Sequence, residues 1–334
     1  MARPSSYSYT METVFVSEIS YAKAEATFER LSSDSGFEFI PVAEDEPSLA
    51  AAIRDRGVSA FIADIHPYTG ELYQALPQGG VIARFGVGHD SVDKELASAN
   101  GIWVANTPGV LDNAVAEHAV WMIGSLARQV HHAHSSTAAG EWEPATGIEV
   151  RGRNITILGC GRIGRALSSK LHHGMGMQVT GYDIMEDPDF SSADGIDHYT
   201  TSLDDALAEA DFVLSLLPVL ESTKHIANAD FFQKMKPGAR FINSARGALV
   251  CENDLYDAIQ SGQLGAAALD VFEAEPYEPQ DSAKDLRSLP NVLLTPHIGS
   301  NTEESNAGMA EHAARNVIQI LTEGPEACPN IVNP

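Results

Sequence analysis

Three observations predict an α/β protein of two domains, each built on a parallel sheet. Short apolar runs alternate with helical stretches along almost the whole chain. One glycine-rich turn, Gly159-Cys160-Gly161-Arg162-Ile163-Gly164, joins a strand-like run to a helix near the middle. Downstream of it, three separated polar residues, Arg246, Glu275 and His297, each stand just after a short apolar run, an arrangement suited to redox chemistry on a small anion.

In the first half, strands are expected at Thr13 to Val16, Phe37 to Val42, Ser59 to Ala63, Val81 to Phe85 and Ile102 to Val104. Helical stretches at Tyr21 to Leu31, Glu46 to Arg56, Gly70 to Leu76 and Ser91 to Asn100 supply the crossovers, so this sheet should be parallel and helix-covered. Past the glycine turn the alternation resumes. Strands are expected at Phe212 to Leu216, Ala239 to Asn243, Ala266 to Val271 and Val292 to Leu294, with helices at Leu203 to Glu209, Ala229 to Met235 and Glu252 to Ser261. Between the halves, Asn113 to Arg128 carries Val115, Ala119, Val120, Met122, Ile123 and Leu126, more apolar surface than a solvent-facing helix needs and suited to an interdomain or intersubunit core. The loop His132 to Gly147, with Trp142 among polar residues, reads as a protruding arm that a homodimer contact would bury; an ordinary hinge loop is the alternative. The last helix, Thr302 to Leu321, has room to cross back, so the chain should end in its first domain. The expected fold is therefore two Rossmann-like or flavodoxin-like domains. Residues 1–110 with 302–334 would form a substrate (catalytic) domain and 111–301 a dinucleotide-binding domain, with an active-site cleft between them.

The glycine turn has the surroundings that a dinucleotide site requires. Asn154 to Leu158 reads as a buried strand, and Arg165 to His173 has helical spacing. A second strand, Met177 to Tyr182, ends in Asp183, about twenty residues past the last glycine, where the fingerprint expects an acid. Gly159 permits the turn, Gly161 lets backbone approach a pyrophosphate, and Gly164 lets helix pack close on strand. The helix N-terminus offers unpaired N–H groups to the phosphates. Asp183 can accept from the adenosine ribose hydroxyls and would repel an added phosphate there, so NAD is the expected cofactor rather than NADP.

Composition narrows the partners. The chain has 334 residues, 44% hydrophobic, enough for two cores. No apolar run reaches the roughly 20 residues needed to cross a bilayer, and Met1 to Thr10 lacks an apolar leader centre, so a cytoplasmic protein is expected. Cys160, Cys251 and Cys328 have no metal-ligand spacing, so no metal is expected, and their odd number argues against a disulfide framework. Cys160 reads as filling a variable turn position. A formal charge of −25 disfavours nucleic acid and anionic membrane as partners. It leaves a small anionic substrate open, because charges beyond about 8 Å are screened and one arginine can dominate a concave site.

The motifs resemble the D-isomer-specific 2-hydroxyacid dehydrogenase family over nearly the whole chain. The resemblance is carried by Phe85-Gly86-Val87-Gly88, Val115-Ala116-Glu117-His118, the glycine turn, Met235-Lys236-Pro237-Gly238, Ile242-Asn243-Ser244-Ala245-Arg246-Gly247, Leu269 to Pro276, Thr295-Pro296-His297-Ile298-Gly299-Ser300 and the terminal Asn330 to Pro334. It implies that Arg246 grips the carboxylate and carbonyl of a 2-oxo acid, that His297 gives or takes the hydroxyl proton, and that Glu275 pairs with His297. Hydride arriving at a 2-oxo acid puts negative charge on the carbonyl oxygen, which a guanidinium stabilises and an imidazolium neutralises. A carboxylate beside an imidazole favours the protonated ring. The resemblance also implies a substrate-carboxylate cradle from the N–H groups of Val87 and Gly88 and a nicotinamide carboxamide contact from Asp270. Arg162 and Ile163 would cover the pyrophosphate, with Pro218, Thr223, Ala245 and Gly299 lining the cofactor cleft.

Taken singly, Arg246 could be a surface arginine, His297 a satisfied core histidine and Glu275 a loop carboxylate. Glu273 shares strand parity with Glu275, so only the family pattern points to the latter. Two departures matter. Leu216 stands where many relatives carry a histidine, which implies an apolar cofactor wall. The loop Ile65 to Thr69 lacks the arginine of phosphoglycerate-handling relatives, and no regulatory domain is expected after Pro334, so phosphoglycerate is disfavoured. Glyoxylate, hydroxypyruvate, lactate-type and bulkier acids stay open, with His66, Tyr68 and His89 as candidate selectors. An NAD(H)-sensing scaffold similar to corepressors of this fold is the alternative function. Formate dehydrogenase is disfavoured, since that branch has an amide where this chain has Glu275.

Overall fold

The structure is a computed structural model describing residues 11–185 and 194–333. The expected leaderless start, Met1 to Thr10, and the end of the terminal motif, Pro334, lie outside the described residues. The chain divides into two compact units, Met1–Leu111 with Asn301–Pro334, and Asp112–Ser300.

In the first unit, β1 (Glu12–Ser17), β2 (Phe37–Val42), β3 (Ala60–Ala63), β4 (Val81–Arg84) and β5 (Trp103–Ala105) form a parallel sheet in the order β2-β1-β3-β4-β5. β3 and β4 are buried at every position, which is why they read as continuous apolar runs rather than alternating ones. The helix expected from Tyr21 to Leu31 is instead two, Glu18–Lys23 and Glu25–Ser35. The Ser17 hydroxyl caps Ser20 N–H and starts the first early, and a break at Ala24 (φ −143°) brings Tyr21 onto Phe28 with ring centroids 5.4 Å apart. The long helix Glu303–Glu323 belongs to this unit and buries Ala310, Ala313, Ala314 and Val317. The chain end is sewn to β5: Val104 N–H donates to Asn333 Oδ1 (2.7 Å), and Asn333 Nδ2 donates to Ile102 O (2.9 Å).

In the second unit, β6 (Asn154–Leu158), β7 (Gln178–Tyr182), β8 (His198–Thr200), β9 (Phe212–Ser215), β10 (Ala239–Asn243), β11 (Leu264–Leu269) and β12 (Val292–Leu294) form a parallel sheet ordered β12-β11-β10-β9-β6-β7-β8. Alternate residues serve two cores: Val213, Phe241, Ala267 and Leu269 join one, while Phe212, Leu214, Ile242, Ala266 and Ala268 join the other. Order reverses between β6 and β9, so the crossovers leave to opposite faces and open a crevice at the carboxyl ends of these two strands. The two parallel α/β sheets agree with the expected fold.

Other readings of the second unit change with the structure. β8 escaped notice because three half-buried residues carry no periodicity. The strand expected at Ala266 to Val271 runs from Leu264 to Leu269, since small residues blur its edge. Much of the expected arm is helical, Val130–Ala138, beginning after Gln129 in the left-handed conformation (φ 54°) and burying only Ser136, so no apolar stripe announced it. In the helix Asp112–Arg128, Ala119, Met122, Ile123 and Leu126 pack against Ile155, Ile157 and Leu167 of its own unit, so these side chains serve an intradomain core. No described helix is long and apolar enough to cross a membrane.

Candidate active site

The glycine turn sits at the carboxyl end of β6, at the reversal of strand order. Gly159 has φ +101°, and a Cβ there would lie 2.9 Å from the Leu216 carbonyl oxygen beyond β9. At Gly164 a Cβ would meet the Gly159 oxygen at 2.2 Å, so helix and turn touch backbone to backbone. A Cβ at Gly161 would meet nothing within 4 Å, which leaves room for a phosphate to approach. The helix Arg162–Ser169 begins right after Gly161, three residues earlier than expected, with no side chain capping its N-terminus. Its first-turn N–H groups and dipole thus suit a pyrophosphate. Asp183 ends β7 and faces the turn, accepting from Cys160 N–H (3.1 Å) and Ile184 N–H (2.8 Å). These features fit a dinucleotide. Arg162 is exposed and paired to Asp112 (2.7 Å). Cys160, within the turn, has a buried side chain, and burial pushes its thiol up to about 12.

Arg246, Glu275 and His297 follow β10, β11 and β12, three neighbouring strands, so parallel pairing delivers all three side chains to one edge of the sheet. His297 Nδ1 lies 2.8 Å from Glu275 Oε2, both half-buried. A carboxylate can only accept, so Nδ1 carries the proton and Nε2 is left for other chemistry. Glu275 is oriented in turn by Phe272 N–H, which donates to Oε1 (3.0 Å). Gly247 places Arg246 beside this loop: a Cβ there would fall 1.8 Å from both the carbon and the oxygen of the Phe272 carbonyl. Glu273 goes elsewhere, to His225 Nε2 at 2.9 Å.

His297 has φ 53°, strained for a residue with a side chain, and the turn is held by Asp270. The Asp270 carboxylate, 1% exposed, accepts from Ile298 N–H (2.9 Å), Gly299 N–H (2.8 Å) and Thr295 Oγ1 (2.6 Å), and its own carbonyl accepts His297 N–H (2.8 Å). Burial opposes its charge, but hydrogen bonds from His118, Thr295 and Ile298 outweigh that and hold the carboxyl below its ordinary value. His118 Nε2 stands 3.3 Å from Asp270 Oδ1. Its supporting place was legible only as a polar residue on the apolar stripe of its helix, three past Val115 and four before Met122. Glu252, another residue missed in the sequence, is buried and accepts from Glu273 N–H (2.8 Å), while Glu273 accepts from Glu252 N–H (3.2 Å). Burial above all, with the charges of Glu273 and Glu275, pushes Glu252 up to about 6.

The remaining expected residues spread over several loops. Thr223 Oγ1 donates to Pro218 O (2.7 Å) and closes the loop after β9. Ala245 O accepts from Arg246 Nη1 (2.7 Å), and a Cβ on Gly299 would meet the buried Ser244 Oγ at 3.3 Å. Ile163 lies in the first turn of the glycine-turn helix. Val87 and Gly88 follow β4 in the first unit. Of the candidate selectors, His66 is exposed and His89 partly so, whereas Tyr68 is buried.

A dinucleotide turn at a strand-order reversal, with a histidine–carboxylate pair on the same sheet, defines an α/β oxidoreductase. Residues 120–299 match the model of the D-isomer specific 2-hydroxyacid dehydrogenase NAD binding domain. Glyoxylate reductase of Korarchaeum cryptofilum is 36% identical over 273 residues, covering 80% of each chain, and that of Thermococcus kodakarensis is 34% identical over 325 residues, covering 94% of this chain and 95% of the other. The NADPH-dependent glyoxylate/hydroxypyruvate reductase of Sinorhizobium meliloti, solved with NADP and malonate, superposes with a TM-score of 0.82 at 28% identity over 97% of both chains. The chain belongs to the D-isomer-specific 2-hydroxyacid dehydrogenase family.

Two outcomes follow from this packing. Gly247→Ala must move the Phe272–Glu275 loop, and a shift near 1 Å should lower kcat about a hundredfold while leaving nicotinamide-cofactor binding intact; stopped-flow reduction with a separate titration of the reduced cofactor checks this, and an unchanged kcat refutes it. Glu252 has its folded value raised to about 6 from 4.5, so the native state holds the extra proton and stability falls as pH rises through that window. Glu252→Gln removes that component, so urea midpoints of variant and parent should diverge between the two ends of the window; parallel profiles would contradict it.

Proposed function

We propose that this dehydrogenase interconverts a small 2-oxo acid and its D-2-hydroxy acid with NAD(H), chiefly in the direction of reduction. The 2.8 Å contact between His297 Nδ1 and Glu275, on strand ends adjacent to that of Arg246, carries the reading. When bound, NADH would supply the hydride. The N-terminus of the helix Arg162–Ser169, with Arg162 and Ile163, would hold the pyrophosphate, and Asp183 would take the ribose hydroxyls. Pro218, Thr223, Ala245 and Gly299 would line the rest of the cofactor site. Asp270, whose Oδ2 accepts Gly299 N–H, would hold the nicotinamide carboxamide.

Arg246 binds the substrate carboxylate and carbonyl and stabilises the charge that grows on the carbonyl oxygen. Because Glu275 keeps the proton on His297 Nδ1, Nε2 is the atom that donates to this oxygen in reduction and accepts from the hydroxyl in oxidation. N–H groups of Val87 and Gly88 cradle the carboxylate. Relatives named for glyoxylate and hydroxypyruvate favour substrates of two or three carbons.

NAD over NADP rests on the Asp183 carboxylate, which repels a ribose phosphate. A homodimer is supported by Trp121 and Trp142, 74% and 86% exposed, which a second copy would cover. A cytoplasmic location is supported by three free cysteines.

A panel of 2-oxo acids assayed with NADH and with NADPH should give turnover on glyoxylate or hydroxypyruvate, favouring NADH. His297→Asn should lower kcat by about 10³-fold with NADH affinity kept. No turnover on any acid, or an undiminished variant, would sink the reading, and NADPH preference would sink the role of Asp183. Sedimentation should give the dimer mass; a monomer at micromolar concentration argues against the pairing.

A further inference from the structure

All three carbonyls of Gly86-Val87-Gly88 are tied back by groups of their own unit. Thr107 N–H donates to Gly86 O (3.0 Å), Asn106 Nδ2 to Val87 O (2.8 Å) and Arg84 Nε to Gly88 O (2.8 Å). The donors stand side by side, because Arg84 ends β4 and Asn106 and Thr107 follow β5, its neighbour. A planar trans peptide carries its N–H opposite to its C=O. Holding these carbonyls toward the strand ends therefore turns the next N–H groups, those of Val87, Gly88 and His89, to the other side. Among the described residues these three N–H groups donate to no protein acceptor. Successive N–H groups turned one way make a concavity for an anion.

The clamp is itself held rigid. Arg84 is 2% exposed, and its Nη1 donates to the carbonyls of Ala63 (2.5 Å) and Asp64. The Asp64 carboxylate is occupied by Lys23 and Ser20, both at 3.0 Å. Asn106 N–H donates to Asn330 O (3.1 Å), and Asn106 O accepts from Asn316 Nδ2 (2.8 Å), a side chain 1% exposed. The returning C-terminal segment thus fixes Asn106, which fixes the Val87 peptide. Gly86, at φ +149°, supplies the backbone angle that lets the chain double back over Arg84.

We propose that Arg84 and Asn106 are positioning residues for the substrate carboxylate: Asn106 holds the Val87 carbonyl away and so presents the Gly88 amide to the anion, and Arg84, by holding the Gly88 carbonyl, turns the His89 amide to the same side. The proposal rests on the reading above that amides of this loop cradle the carboxylate. Neither residue touches the substrate; each acts through a peptide plane.

The test compares the full chain with Arg84→Lys and Asn106→Ala. It measures KM and kcat for glyoxylate with NADH, the dissociation constant of oxalate by calorimetry with NADH present, and the dissociation constant of NADH by fluorescence. In each variant KM and the oxalate constant should rise about tenfold, with kcat and the NADH constant within about twofold. Unchanged KM and oxalate binding overturn the proposal. So does a parallel loss of NADH binding, which marks a general folding role, and so does failure of the unaltered chain to bind oxalate. If the unaltered chain reduces no 2-oxo acid yet binds oxalate, and does so about tenfold more weakly in each variant, the substrate reading fails and the clamp stands.

Discussion

The carboxylate of Asp270 is the interaction on which the geometry of the second unit turns. It ends a buried run of β11 and reaches across to the turn after β12, where it takes the N–H groups of Ile298 and Gly299 and the Thr295 hydroxyl. A non-glycine residue at φ 53° is held there only if its surroundings over-determine it, and these bonds, with His297 N–H on the Asp270 carbonyl, do so. The imidazole is thereby aimed at Glu275, whose other oxygen is occupied by Phe272 N–H. A buried charge costs several kcal/mol unless it is bonded on most sides, so Asp270 and the His297 turn depend on each other.

Parallel strands explain why so few residues suffice. Each crossover returns the chain to the same end of the sheet, so residues spaced tens of positions apart emerge together. Close backbone contact then removes the remaining freedom. Gly159 against Leu216, Gly164 against Gly159 and Gly247 against Phe272 leave no space for a Cβ, and each joins a loop of the candidate site to a neighbour. The first unit uses another means to the same end, hydrogen bonds from strand-end side chains onto the carbonyls of a loop.

Carboxylates are used here in three different ways. Asp270 is ionised and saturated with donors, Glu275 is half-exposed and shared between a backbone N–H and an imidazole, and Glu252 is buried beside other acids and holds its proton more tightly than usual. Environment, not residue type, separates them. In a chain of formal charge −25, such local arrangements decide the chemistry more than the overall charge does.

The sequence by itself determined the class of fold, the strands other than β8, the glycine turn followed by Asp183, and three polar residues each standing just after an apolar run. These are read from local pattern, because buried parallel strands are apolar throughout and a phosphate turn needs glycine at fixed spacing. Periodicity could not separate Glu273 from Glu275, because strand parity gives both the same face, and only the family resemblance pointed to Glu275. The tertiary structure supplies the contacts, giving Glu275 to His297 and Glu273 to His225. The same holds for His118 beneath Asp270, for Glu252 against Glu273 and for Asn106 behind Val87. Each lies far along the chain from its partner, or reaches it through a turn that has no period, and a hydrogen bond depends on tenths of an ångström that pattern does not encode.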